Sequence, residues 1–313
     1  MREGGSGRAD RRRRLAGFGL ILLSALSFGA MPIFGRLAYR SGVDPVTLLL
    51  LRFTFATAIM LPAMAARRLP WPRGRTLLGL IAMGAAGYVG QSICFFTALK
   101  HASAGLVSLL LYLYPALVAI LSVVVLKERL TRRKTLALGL ALAGAVLTIG
   151  LSGGGTPTGI ALGVGAAVIY ALYIIYGTHL LKSVPPIPAA AVILAATAVV
   201  YAGLVAARGP QWPATAAGWG WIAAIAAVST VVATVTFLAG LERIGPTSAS
   251  TLSTVEPVIS VGLAALVLGE RLAPLGLVGG VMILGAVVVL ACGAPSGAGG
   301  DGRPRDGEHR PRR

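Results

Sequence analysis

The dominant feature of this sequence is a succession of apolar runs, each about as long as a membrane-spanning helix. A bilayer core about 30 Å thick needs about 20 apolar residues of helix to cross it. Such runs recur along the chain, separated by short connectors rich in Pro, Gly and Arg. They predict an all-α polytopic membrane protein with ten transmembrane helices, over residues 15–35, 46–65, 76–99, 103–126, 135–151, 158–181, 188–207, 218–241, 247–268 and 273–292.

The charged residues agree with a membrane protein and argue against a nucleic-acid partner. Only 12% of residues are charged, against about 25% in soluble domains. The net charge is nevertheless +18. The basic residues form short clusters between apolar runs, whereas a nucleic-acid site needs them gathered on one face. The two cysteines both lie inside apolar runs and indicate neither a disulfide framework nor a metal site.

The distribution of Lys and Arg predicts the orientation in the membrane. With the N-terminus inside, the inner segments carry 22 of the 28 basic residues, the outer segments carry five, and Arg52 lies within a helix. Cytoplasmic loops are enriched in Lys and Arg. We therefore predict a multi-pass protein of the plasma (inner) membrane with both termini in the cytoplasm and an even number of spans.

The sequence also contains an internal repeat with an offset of 142 residues. Pro115 matches Pro257, and Glu128 matches Glu270 at the same spacing from its proline. Each half holds five predicted helices, and because five is odd the second half inserts upside down. Inverted repeats around a midplane site are typical of secondary transporters. The predicted divisions are a basic cytoplasmic tail over 1–14, the first five-helix repeat over 15–151, the inverted second repeat over 157–292, and a disordered basic tail over 293–313.

These features resemble the EamA-type transporters of the drug/metabolite transporter superfamily. The resemblance rests on the two five-helix halves, on Glu256-Pro257 and on the turn Glu270-Arg271-Leu272. It covers roughly residues 15–292. It implies a ten-helix bundle whose central cavity is lined by helices 1, 3, 4, 6, 8 and 9. It also implies ATP-independent transport of small organic solutes, often export of amino acids or other metabolites.

Glu256 is one of two charged side chains predicted to lie well inside the spans. It is the tenth residue of predicted helix 9, near the midplane. Placing a charge there costs at least about 2.5–3.5 kcal/mol, so the side chain should face a cavity or a partner. One interpretation is a cavity acid that binds a cationic group or carries a coupling proton. The other is a structural acid that accepts a bond from a backbone amide freed around Pro257.

Arg52 is the second such residue, seven residues into predicted helix 2. A guanidinium group can bind a substrate carboxylate through two parallel hydrogen bonds. The alternatives are structural: pairing with Asp44, bonding to carbonyl groups, or reaching outward to the interface.

Further residues have the spacing and chemistry of a cavity wall. Aromatic and polar side chains can contact a solute, or they can form hydrogen bonds between helices. The predicted substrate-binding residues beside Glu256 and Arg52 are Tyr112, Tyr114, Gln91, Tyr170, Tyr173 and Thr254. Pro115 and Pro257 are predicted hinges or fixed bends. Glu270-Arg271 is interpreted as a helix cap, a loop ion pair or a gating contact.

The absent motifs narrow the function. The sequence has no phosphate-binding loop of the Gly-x-x-x-x-Gly-Lys-Ser/Thr kind, so no ATPase, cofactor or metal is predicted. The predicted function is secondary transport of a small organic solute, an amino acid or other metabolite, in the export direction. The expected partners are the solute, the bilayer and a coupling proton, with the oligomeric state left open. The alternative is an intramembrane lipid-modifying enzyme or a scaffold without transport activity.

Overall fold

The computed structural model describes residues 4–125, 131–151, 155–180, 184–244, 252–253, 255–271 and 273–292. The first half contains α1 (Gly4–Gly29), α2 (Met31–Tyr39), α3 (Pro45–Ala66), α4 (Gly74–Ala82), the π-helical segment π1 (Met83–Tyr88), α5 (Val89–His101), α6 (Ala104–Leu111), α7 (Tyr114–Val125) and α8 (Arg132–Leu151). The second half contains α9 (Pro157–Leu180), α10 (Pro186–Arg208), α11 (Ala216–Ala226), the π-helical segment π2 (Ala227–Val232), α12 (Ala233–Ile244), α13 (Val255–Leu268) and α14 (Pro274–Cys292).

Within the described ranges the chain is mainly helical, and its helices cover the predicted apolar runs. The exception in extent is α1, which begins at Gly4 and so continues into the stretch 1–14 that was predicted to be a tail. Six are long and apolar enough to cross a membrane: Arg12–Tyr39, Pro45–Ala66, Gly74–His101, Pro157–Gly177, Ile187–Arg208 and Ala216–Leu241. Four shorter apolar helices are Ala104–Val118, Thr135–Leu147, Val255–Leu268 and Pro274–Val289. The all-helical membrane class is therefore confirmed, while a full set of ten crossings stays a prediction.

Local sequence explains where several helices begin. The Asp44 carboxylate accepts hydrogen bonds from Val46 N at 2.9 Å and Thr47 N at 3.3 Å, just before α3. The Ser103 hydroxyl accepts from Leu106 N at 3.2 Å at the start of α6. Such caps satisfy backbone N–H groups that have no partner within the helix. The Ser103 cap therefore separates α6 from α5 although the connector is only two residues long.

The helices pack in a pattern that is preserved when the two halves are exchanged. Helix α1 packs against α12, and its counterpart α9 packs against α5, the counterpart of α12. Two further pairs, α3 with α10 and α8 with α14, join equivalent helices of the two halves. Two structurally related halves produce this pattern.

Two predicted helices, over 76–99 and 218–241, are interrupted by π1 and π2. At π1 the helix lies so close to α10 that a Cβ atom on Gly84 would clash with the Ile193 carbonyl oxygen. The Thr197 hydroxyl of α10 lies 3.0 Å from the Gly84 carbonyl oxygen and 2.7 Å from the Ile193 carbonyl oxygen, so the two carbonyls share its proton. In π2, Thr230 Oγ1 donates to the Ile225 carbonyl at 2.9 Å, five residues earlier. Single-turn π segments of this kind occur frequently at functional sites.

The predicted helix over 103–126 is also broken, between α6 and α7. The break lies at residues 112–113, just before Pro115. A proline ring clashes with the carbonyl group four residues earlier, here that of Leu111, and offers no N–H. Pro115 thus lies at the start of α7, and Pro257 lies within α13. The role of the two prolines as hinges stays a prediction.

The bond between Thr197 and Gly84 gives a first testable prediction. Replacing Thr197 by valine preserves shape but removes a fully buried hydroxyl that joins α10 to π1. We expect a loss of about 0.6–1 kcal/mol in stability, as for other hydrogen bonds between membrane helices. Thermal unfolding of the detergent-solubilised protein measures it. The matched control is Thr236→Val, since Thr236 Oγ1 bonds only to carbonyls of the preceding turn. Equal losses in both variants would contradict the prediction.

Candidate functional site

A cavity with two connected lobes lies at the centre of the bundle. The small lobe has a volume of about 130 Å³ and the large lobe about 450 Å³, and the latter lies within the usual range of about 300–1,000 Å³ for ligand pockets. Both halves of the chain contribute to each lobe. The residues shared by the two lobes are Phe28, Tyr88, Tyr112, Tyr114, Tyr170 and Glu256.

Five tyrosines form a continuous aromatic wall around this cavity. Tyr114 meets Tyr112 edge-on with ring centroids 5.9 Å apart, and Tyr170 edge-on at 4.7 Å. Tyr170 stacks on Tyr173 at 6.0 Å, and Tyr173 lies 6.1 Å from Tyr88. Edge-on and offset arrangements at these separations are favourable for aromatic rings. The wall therefore joins α7, α9 and π1 into one surface.

Glu256 lies against this aromatic wall and borders both lobes. The Tyr112 hydroxyl borders the same two lobes and donates to the Ser253 carbonyl at 3.0 Å. Glu256 therefore borders the cavity, and its role as a cavity acid or as a structural acid stays a prediction.

Arg52 borders only the small lobe, and its partners differ from those predicted. Its Nε donates to Thr230 Oγ1 at 3.1 Å, and a terminal nitrogen donates to the Tyr88 hydroxyl at 3.4 Å. The guanidinium carbon lies 4.8 Å from the Phe53 ring centroid and 5.3 Å from that of Phe96. The predicted pairing with Asp44 is wrong because that carboxylate caps α3. Among the described residues no carbonyl group accepts a hydrogen bond from Arg52. Outward snorkelling is also excluded, since Arg52 is only 2% exposed.

The two hydroxyl partners of Arg52 are equivalent residues of the two halves. Tyr88 and Thr230 are 142 residues apart, which is the offset of the sequence repeat. Tyr88 ends π1, and Thr230 lies within π2. Arg52 therefore connects corresponding points of the two interrupted helices.

Comparison with known proteins identifies the family. The model of the EamA-like transporter family matches residues 15–150 and again residues 157–292. The chain belongs to the EamA-like transporter family. It is a membrane transporter of the drug/metabolite transporter superfamily.

Similar proteins agree with this assignment. "Uncharacterized transporter YcbK" of Bacillus subtilis (strain 168) is 28% identical over 301 residues, which cover 90% of this chain and 91% of that protein. "Uncharacterized transporter YwfM" of the same organism is 29% identical over 201 residues, covering 63% of this chain and 68% of the relative. One solved crystal structure, described only as that of a protein, matches with a TM-score of 0.63 and 25% identity, covering 89% of this chain and 97% of its own.

Residue chemistry and spacing predicted most, but not all, of the cavity wall. Gln91 borders the small lobe, Tyr173 borders the large lobe, and the other predicted tyrosines, Tyr112, Tyr114 and Tyr170, border both. Thr254 lies outside the described residues. Sequence reasoning missed Tyr88 and Thr230, for which the repeat offset was the available signal. It also missed that α10 contributes to the wall. Whether these residues bind a solute stays a prediction.

One end of this EamA-family bundle is held together by Glu270. Its carboxylate accepts hydrogen bonds from Ala104 N at 3.0 Å and Gly105 N at 3.2 Å, at the start of α6. Arg36 of α2 lies 3.6 Å from the same carboxylate and donates to the Leu99 carbonyl at 2.7 Å. The Glu270 contact is thus both a helix cap and an ion pair. It links the segment before α14 to α2 and α6.

Removing the charge of Glu270 gives a second prediction. In Glu270→Gln the side-chain oxygen still accepts one backbone bond, but the ion pair with Arg36 and the favourable interaction with the α6 dipole are lost. We expect a loss of about 1–2 kcal/mol, since hydrogen bonds to charged groups contribute about 1.5–3 kcal/mol each. Thermal unfolding in detergent measures it. Arg271→Gln, which removes an exposed charge from the same loop, is the control. An equal or larger effect of Arg271→Gln would contradict the prediction.

Proposed function

We propose that this chain is a secondary transporter that carries a small organic solute through the central cavity by alternating access. The ten predicted helices form two inverted halves over 15–151 and 157–292, and their relative movement exposes the cavity to each side in turn. The proposal rests mainly on one observation: both halves build the cavity, and one acid, Glu256, borders both of its lobes. Secondary transporters of inverted-repeat architecture bind their solutes near such an interface.

The shape of the cavity supports an assignment of its two ends. The large lobe extends to Val184 and Ala189, at the start of α10. The opposite end contains the Glu270 contact with α6. In the orientation predicted by the positive-inside rule, the start of α10 faces the cytoplasm. The structure then corresponds to an inward-facing state of an inner-membrane exporter, in which a cytoplasmic solute enters the large lobe.

Proton coupling is part of the proposal. Glu256 is the one acidic residue among those described as lining either lobe. A carboxyl group that binds a proton in one state and the solute in the other would exchange the two across the membrane. The amino acids and other metabolites expected from the family resemblance fit the volume of the large lobe.

The test is transport by the purified protein in liposomes. Vesicles loaded with unlabelled solute are diluted into labelled phenethylamine, L-phenylalanine or 3-phenylpropionate, which share a phenyl body and differ in charge. Protein-dependent uptake of at least one probe, driven by exchange, is expected. Vesicle lipids are analysed in parallel by mass spectrometry. Failure to move any probe, together with protein-dependent modification of the lipids, would favour the intramembrane enzyme over the transporter.

A further inference from the structure

We propose that the solute of this site is an organic cation: an ammonium group attached to an aromatic or branched apolar body. This inference rests on the proposed transport function and adds the charge of the solute. In this proposal Glu256 and the tyrosine wall bind the ammonium group, and Arg52 does not bind a solute carboxylate.

The first argument is the charge of the large lobe. Among the described residues that line it, Glu256 is the one whose side chain can ionise to a carboxylate. A carboxylate in a low-dielectric site interacts strongly with an opposite charge and disfavours a like one. The large lobe therefore attracts a cation and repels a carboxylate.

The second argument is the geometry of the tyrosine wall. Tyr112, Tyr114 and Tyr170 border both lobes beside Glu256. Tyr114 lies edge-on to both neighbours, at 62° and 66°. Mutually inclined rings present faces in several directions, as aromatic cages for ammonium groups do. A cation within about 6 Å of such a face is attracted by the ring quadrupole, most strongly where water is excluded.

The third argument is that Arg52 is already engaged. Its guanidinium group donates to two neutral hydroxyls and lies over the rings of Phe53 and Phe96. Recognition of a solute carboxylate requires the guanidinium fork to face the ligand. With a side chain only 2% exposed, Arg52 would have to leave these partners to bind one. The charge of Arg52 is therefore used for structure, and the large lobe, which Arg52 does not line, has no cationic side chain among its described residues to balance a zwitterion.

The fourth argument is the apolar body of the solute. Away from Glu256, the large lobe is bordered by residues of α10 and α12, including Ile193, Leu194, Phe237 and Leu238. Apolar surface of this kind stabilises a buried hydrocarbon body in proportion to the area removed from water. A solute with an ammonium group at one end and an apolar body at the other matches both parts of the lobe.

The test compares binding of the same three probes to the full chain in nanodiscs by isothermal titration calorimetry. Phenethylammonium is expected to bind at least tenfold more tightly than L-phenylalanine, and 3-phenylpropionate is expected not to bind. Glu256→Gln should weaken phenethylammonium binding at least tenfold, and Tyr170→Leu several-fold. The matched control is Tyr176→Leu, since Tyr176 is 55% exposed on the same helix and does not line the cavity. Size-exclusion profiles and unfolding temperatures verify that each variant is folded.

Several results would overturn the inference. One is binding of L-phenylalanine or 3-phenylpropionate that is as tight as, or tighter than, that of phenethylammonium. This result would be strongest if Arg52→Met abolished the binding of those carboxylate probes. The absence of phenethylammonium binding, or binding unchanged in folded Glu256→Gln, would also overturn it. Where a variant fails to fold, the comparison of probes on the unmodified protein decides. Liposome exchange of L-phenylalanine or 3-phenylpropionate without the amine would leave the transporter proposal standing and reject only the charge of the solute.

Discussion

Glu256→Gln is expected to abolish solute movement driven by an imposed pH gradient. Glutamine has nearly the shape of the protonated acid but can neither release a proton nor carry the negative charge that borders both lobes. If one carboxyl group serves the proton and the cationic solute in turn, both functions are lost together. We expect at least a tenfold fall in pH-driven flux of phenethylamine and a similar fall in exchange. Labelled uptake into liposomes after a pH jump measures both.

Glu256→Asp is the matched control for this experiment. It retains an acid one methylene shorter, so reduced but pH-dependent flux is expected. Flux that responds to the pH gradient as in the unmodified protein, in a folded Glu256→Gln variant, would reject Glu256 as the coupling group. Loss of the pH response with exchange of phenethylamine intact would reject its role in binding the cation while keeping its role in coupling.

Arg52→Lys is expected to destabilise the protein more than Arg52→Met, although lysine keeps the charge. The guanidinium group is flat and bonds to Thr230 and Tyr88 at once while lying over Phe53. An ammonium group is compact and strongly hydrated, and it cannot reproduce this combination. It would remain buried with fewer partners, which costs more than replacing a buried charge by an apolar side chain of similar volume.

We expect Arg52→Lys to lower the free energy of unfolding by about 3 kcal/mol, the scale of leaving a buried charge uncompensated. Arg52→Met loses the connection between π1 and π2 but leaves no unsatisfied cation, so a smaller loss of about 1–2 kcal/mol is expected. Unfolding in detergent by heat or denaturant compares the two. Arg208→Met, at the exposed end of α10, controls for removal of a basic residue. A Lys variant as stable as the native protein, beside a strongly destabilised Met variant, would show that charge rather than shape is required.

Glu256 and Arg52 were identified from the sequence because charged residues are rare within membrane-spanning apolar runs. A charged side chain within an apolar run must face a cavity or a partner, and Glu256 and Arg52 both border the central cavity. The sequence could not say what each one touches. Its proposed partners for Arg52 were near it in the chain or on the backbone. The actual hydroxyl partners are 36 and 178 residues away.

The interruptions of the helices were equally inaccessible from the sequence. The run 76–99 is mostly apolar, and nothing in its periodicity marks π1. At π1 Gly84 lies close to Ile193, a residue of the other half. The contact between Glu270 and the start of α6 could not be predicted from the sequence either, because Glu270 and its backbone partners are about 165 residues apart. The Glu-Arg-Leu turn was visible in the sequence, but its binding partner was not.

The sequence by itself determined the all-helical membrane class, the positions of the apolar helices, the 142-residue repeat and the two charged residues worth testing. These depend on length, hydrophobicity and charge, which are properties of single segments. The tertiary structure decided which face of each helix turns inward, how the tyrosines form one wall and which groups Arg52 joins. The physical reason is that lipid and protein interior are both apolar, so hydrophobic periodicity does not distinguish the face exposed to lipid from the face that packs. Only the packing of distant helices makes that distinction.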